Sequence, residues 1–125
     1  RRTALQAAIE IGNHEIVRLL LSADADVNAA PALDGGVTAL QAAAIKGYIP
    51  VANTLLNHGA QVNAKPAKFN GRTALEGAAE YGRIDMLQLL LDAGAQIDGD
   101  GQDQYERAVK RASMNGHNAA RRLLE

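Results

Sequence analysis

The chain has 125 residues, enough for one domain with a continuous core, and nearly half are apolar although only 3% are aromatic. Its formal charge is -1 and it has no cysteine, so disulfides and Cys-based metal sites are excluded and nucleic-acid binding is not expected. No apolar run reaches the roughly 18 residues of a spanning helix and no secretory leader pattern occurs, so no membrane partner is expected; an intracellular, cytoplasmic home is compatible with this composition.

A core with so few rings must be built from Ala, Leu, Val and Ile, which suits close helix packing. The chain supplies these residues periodically. Thr3-Ala4-Leu5 returns as Thr38-Ala39-Leu40 and as Thr73-Ala74-Leu75, a spacing of 35 residues. Each triplet leads to a glycine (Gly12, Gly47, Gly82), an aliphatic run, and a Val27-Asn28, Val62-Asn63 or Ile97-Asp98 ending. A fixed period of this size marks a solenoid whose units are too small to bury their own apolar faces. The units are expected at about 1–35, 36–70, 71–104 and 105–125, forming a single all-α domain.

In the first unit Thr3 and Gln6 have the spacing of a capping box, in which the hydroxyl caps the third helical N–H and the amide reaches back. The same box is expected at Thr38 and Gln41 and at Thr73 and Glu76, each cap contributing about 1 kcal/mol. The second unit shows the pattern most fully. Its first helix, about 39–46, is lined by Ala42, Ala43 and Ala44, and Gly47 stops it. Its second helix, about 50–57, starts with Pro50 at the first helical position and buries Val51, Leu55 and Leu56. Gly59 and Gly94 are expected to end the second helices with positive φ, and Asp24 does the same in the first unit. Between units lie fingers. Residues 64–72 carry Pro66 and Asn70-Gly71, a strong hairpin signal, and 29–37 carry Pro31 and Asp34-Gly35-Gly36.

The fourth unit departs from this pattern. Aligning Gly116 with Gly82 places Arg107 where Thr should be, so the usual cap is lost. Asp103 to Glu106 supplies a replacement box, and the helix is expected to start about one turn earlier. Arg121 and Arg122 make the last helix polar, as a terminal cap requires. The first unit has no such dressing (Ile9, Ile11, Ile16 and Val17), so further repeats are expected before it.

These stretches carry a family resemblance. TALQAAIEIG (3–12), TALQAAAIKG (38–47), TALEGAAEYG (73–82) and the degenerate RAVKRASMNG (107–116) resemble the first-helix motif of ankyrin repeats. IVRLLLSADADVN (16–28), VANTLLNHGAQVN (51–63) and MLQLLLDAGAQID (86–98) are similar to the second-helix motif. Two features depart from that family's pattern. Ala replaces the Pro after Thr, and Gln or Glu replaces His, so the His-centred hydrogen bonds of the family must be made otherwise. The longer period, the Thr-Ala-Leu-Gln-Ala-Ala starts and the Asn-Ala-x-Pro-Ala fingers resemble the arrays of fungal multidomain proteins, often found behind a nucleotide-binding NACHT-type module.

The resemblance implies an ankyrin solenoid of helix-turn-helix units with extended fingers, acting as a non-catalytic module that binds a protein or extended peptide on its concave face. That face is expected to be formed by the finger segments 30–37, 65–72 and 99–106 and by the ends of the first helices. Its expected contact residues are Leu33, Ile45, Lys46, Lys68, Phe69, Arg72, Glu80, Tyr81 and Met114. Apolar and aromatic groups on a rigid surface are typical anchors, although the same side chains could instead pack between fingers. The middle finger is basic (Lys65, Lys68, Arg72) and the last is acidic (Asp98, Asp100, Asp103, Glu106), which could orient a partner or simply pair finger with finger. An alternative role is that of a spacer in a longer array, contacting upstream repeats or self-associating through the first unit.

No catalytic group, cofactor or metal is expected. His14, His58 and His117 occupy non-equivalent positions without a second ligand at metal spacing. Ser22 and Ser113 lack a nucleophile-elbow context. The acidic run at 98–103 resembles part of a calcium loop but has Val109 where the twelfth-place Glu belongs.

Overall fold

The computed structural model describes residues 2–125; Arg1 lies outside them. Helices follow one another in pairs: α1 (Ala4–Ile11) with α2 (His14–Ser22), α3 (Ala39–Lys46) with α4 (Ile49–Asn57), α5 (Ala74–Glu80) with α6 (Ile84–Asp92), and α7 (Gln102–Met114) with α8 (Asn118–Leu124). A short 3-10 turn, Gly99–Gly101, precedes α7. The first helices of the pairs pack in one row, α1 on α3, α3 on α5 and α5 on α7, and each second helix packs back on its own partner. Small side chains permit the close row: Ala42, Ala43, Ala44, Ala78, Ala79, Ala108 and Ala112 are all buried there. Between them, Leu5, Leu40, Leu55, Leu75, Leu87 and Leu90 fill one continuous core that crosses every unit boundary.

Local chemistry explains where the helices begin. All three capping boxes form. The Oγ1 of Thr3, Thr38 and Thr73 accepts from the N–H three residues on, and the Oε1 of Gln6, Gln41 or Glu76 accepts from the threonine N–H at 2.8–2.9 Å. Asn13 adds a cap that the repeat pattern did not signal, its Oδ1 accepting from the Ile16 N–H. Gly12 and Gly47 end their helices with φ of 88° and 74°, whereas α5 is capped by Tyr81 with the positive φ on Gly82. Space as well as φ demands glycine at these positions. A Cβ on Gly12 would lie 2.7 Å from the Tyr48 hydroxyl, and one on Gly82 would lie 2.6 Å from the His117 ring. Each unit thus lays a side chain across the helix end of the unit before it. Gly59, Gly94 and Asp24 adopt the expected positive φ.

Several expectations need correction. Pro50 is the second residue of α4, because Ile49 already has helical geometry. The Asn70-Gly71 turn is not the doubly left-handed kind. Only Asn70 has positive φ, at 57°, as does Gly35 in the preceding finger. Gly71 is required for contact instead, since a Cβ there would collide with the Ala67 backbone. The largest difference is at the last expected finger, 99–106. It is not extended: after the 3-10 turn it joins α7, which starts at Gln102. The helix does begin early, but Asp103 sits inside its first turn and α7 has no side-chain cap.

Candidate functional site

Two rows of residues build the face that the fingers and first helices share. The first row comes from finger 1 (29–37) and finger 2 (64–72). Their tips form a single parallel bridge between Asp34 and Phe69. The Phe69 N–H donates to the Leu33 carbonyl at 3.1 Å, and the Gly35 N–H donates to the Phe69 carbonyl at 2.7 Å. Asn70 Nδ2 donates to Asp34 Oδ1 at 2.8 Å, tying the same tips through side chains. At their bases the fingers are held by the first helix of the same unit. Gln6 Nε2 donates to the carbonyls of Ala29 and Ala30, and Gln41 Nε2 donates to those of Ala64 and Lys65. The Asn residues of the Val-Asn endings do related work: Asn28 and Asn63 each donate to the carbonyl of the next unit's turn glycine, Gly59 or Gly94, and accept from the N–H of Gln61 or Gln96.

The second row is the set of C-terminal ends of the first helices. Glu10, Ile45, Glu80 and Met114 occupy equivalent places there, and so do Ile11, Lys46, Tyr81 and Asn115. Arg2 pairs with Glu10 at 2.6 Å, and Arg72 pairs with Glu80. Arg111 also approaches Glu80, at 3.8 Å. The hydrogen bond to Glu80 is the main reason that the Arg72 guanidinium is held above its ordinary pKa. In the middle unit Val37 and Ile45 stand where those arginines and glutamates stand, so an apolar step lies between two charged ones. Ile45 is half-buried rather than exposed, because it lies over Gly77: a Cβ there would be 2.6 Å from Ile45 Cγ1.

Most of the remaining expected contact residues face outward. Met114 is 74% exposed, Leu33 63%, Phe69 51% and Tyr81 49%. Lys46 and Lys68 are exposed, while Arg72 and Glu80 are half-buried in their pair. Lys68 Nζ sits 5.6 Å from the Phe69 ring centroid, a cation–π contact at an exposed site. The fingers therefore do not bury these groups against one another. Nor does the basic finger pair with the acidic stretch after it: among the described residues no ion pair joins Lys65 or Lys68 to Asp98, Asp100, Asp103 or Glu106.

Ile11, at 80%, is the most exposed large apolar side chain among the described residues. Its equivalence to Lys46 and Tyr81 is the signal that would have added it to the expected set. Open hollows flank the fingers. One of about 370 Å³ lies between the two fingers beside Leu33 and Lys68, and one of about 330 Å³ separates finger 2 from the start of α7. A larger cleft of about 540 Å³ lies along α7 and α8, beside Tyr105, Val109, Met114 and Arg121.

Among the described residues, no group of three or more His, Cys, Asp or Glu side chains is placed to hold a metal ion. No helix there is long and apolar enough to cross a membrane. Compared with known families, the chain matches ankyrin repeats (3 copies) over residues 1–66 and again over 36–101, so that the two matches together span 1–101. No curated protein matches it significantly.

Proposed function

Because the chain belongs to the ankyrin-repeat family, whose repeats are generally protein–protein interaction modules and typically non-catalytic, we propose that it binds a protein or extended peptide on the face made by its fingers and first-helix ends. The observation that carries this reading is the exposure of Leu33, Phe69, Tyr81 and Met114 on a backbone held rigidly by capping boxes and buried amides. Rigid display limits the ordering entropy lost on binding, so a few anchors suffice for specificity. Lys46 and Lys68 supply positive charge beside these anchors, Arg72 and Glu80 form a fixed ion pair between them, and Ile45 forms part of the apolar floor.

The test is a partner-capture assay with wild type and with the Phe69→Ala, Tyr81→Ala double variant, alongside thermal melting. Loss of capture with an unchanged Tm supports the reading. Equal capture by both proteins, or a lowered Tm for the variant, counts against it.

A second reading, a segment of a longer array or one that self-associates through its first unit, is favoured by one contrast. Ile16 is 43% exposed, whereas Val51 and Met86, in the same place in the next two units, are buried. Sedimentation of wild type and Ile16→Lys across a concentration range tests the self-associating form. Mass that rises with concentration only in wild type supports it.

A further inference from the structure

Finger 2 has two edges, and only one of them is paired with another finger, although Arg72 Nη1 donates to the Asn70 carbonyl. Phe69 directs its N–H and C=O to finger 1, donating to the Leu33 carbonyl and accepting from the Gly35 N–H. In a parallel bridge the residues on either side of the bridged one point their backbone groups the opposite way. On finger 2 those groups are the Lys68 carbonyl and the Asn70 N–H. They are the equivalents of the Leu33 carbonyl and the Gly35 N–H, and among the described residues neither has a backbone partner. Asn70 has the positive φ of Gly35, 57° against 69°, so its N–H is set in the same way. Lys68, Phe69 and Asn70 are all exposed. A third finger, which would continue the row, is missing because residues 99–106 form the 3-10 turn and the start of α7. The early turn of α7 lies beside the base of finger 2, near Lys65, Pro66 and Thr73, while Lys68 to Asn70 at the tip stay exposed.

We propose that this open edge takes an extended segment of an acidic partner peptide, running parallel to finger 2 and adding a strand to the finger row. This deepens the reading of the finger face as a protein-binding surface and rests on it. The bridge between the two fingers supplies the template. One residue of the peptide donates its N–H to the Lys68 carbonyl and accepts from the Asn70 N–H, as Phe69 does with finger 1. The residue before it lies beside Lys68, as Lys68 lies beside Leu33. An acidic side chain fits there, because neither Lys68 nor Lys65 has an ion-pair partner among the described residues. The residue after it takes the place of Asn70, which reaches Asp34 on finger 1. On finger 2 the equivalent of Asp34 is Phe69, so an apolar side chain fits at that position. Main-chain pairing gives affinity and the two flanking side chains give selectivity, as in strand addition to other sheet edges.

The probe is the capped peptide Gly-Ser-Glu-Thr-Val-Ser-Gly, titrated into the whole protein and followed by amide NMR, together with single N-methylated versions. Edge pairing predicts shifts confined to residues 65–72 and slowed exchange of the Asn70 N–H. N-methylation of the Thr, whose N–H is used, lowers affinity about tenfold or more, and N-methylation of the Glu or the Val, whose N–H groups point away, changes it about twofold or less. Lys68→Glu weakens binding several-fold, and replacing the peptide's Glu with Lys does the same. Binding that is indifferent to where the N-methyl group sits overturns the edge while leaving a side-chain binding face intact. Absence of binding overturns the edge as well, and the Phe69→Ala, Tyr81→Ala capture assay then decides the broader reading separately.

Discussion

The junction between the second and third units and the junction between the third and fourth use the same positions with opposite chemistry. At the earlier one the buried Gln41 amide accepts from the Thr38 N–H and donates to two carbonyls at the base of finger 2. At the later one Glu76 accepts from the Thr73 N–H in the same way, but a carboxylate has no proton to donate onward. Its other oxygen takes the Arg107 guanidinium instead. The Asn63 amide likewise becomes Asp98, so the second donor of the repeat is also lost. Where the buried group is an amide, its N–H groups hold the base of a finger; where it is a carboxylate, the following segment coils into a longer helix. The change from amide to acid at this position thus accompanies the end of the finger row, beyond which finger 2 has an open edge.

The comparison can be broken most severely at Gln41. Gln41→Ala removes three hydrogen bonds and leaves the buried Thr38 N–H without a partner, so urea unfolding should show a loss of about 3 kcal/mol, with faster hydrogen exchange across finger 2. Glu76→Ala leaves the Thr73 N–H and Arg107 without their carboxylate partner, and should cost about 2 kcal/mol by the same measurement. Glu76→Gln paired with Arg107→Thr sharpens the contrast by recreating the earlier junction. Each single change should destabilise by about 1 kcal/mol and the double variant by less than their sum, as read in a double-mutant cycle. Asn63→Asp copies the acid of the third unit and should cost about 1 kcal/mol, through the lost bond to the Gly94 carbonyl. The smallest effect is expected at Phe69, where Phe69→Ala should move stability by less than about 0.5 kcal/mol, since the ring is half exposed and its cation–π contact is with the exposed Lys68.

Much of this architecture was legible in the residues themselves. The capping boxes at Thr3, Thr38 and Thr73, the helix-ending glycines and the buried alanine row all formed where the pattern placed them, because each depends on contacts within one turn or on period alone. The Val-Asn endings were visible as a recurrence without a role, since Asn28 and Asn63 act on carbonyls 31 residues further along. The replacement box at Asp103 failed because the 3-10 turn starts the coil before Asp103 can cap it. Of the expected contact residues, Leu33, Phe69, Tyr81 and Met114 are exposed as supposed, while Ile45 is half-covered by its approach to Gly77 from the next unit.

The amino-acid order alone determined the ankyrin unit, its period and the start and stop of most helices, since threonine hydroxyls, glutamine amides and left-handed glycines act on neighbours a few bonds away. Only the assembled stack decided where the fingers stop, which side chains stay in solvent and which backbone edge remains unpaired. The end of the finger row turns on whether a buried side chain still holds a proton for carbonyls 23 and 24 residues further along, and that donor meets its acceptors only after the chain has packed together.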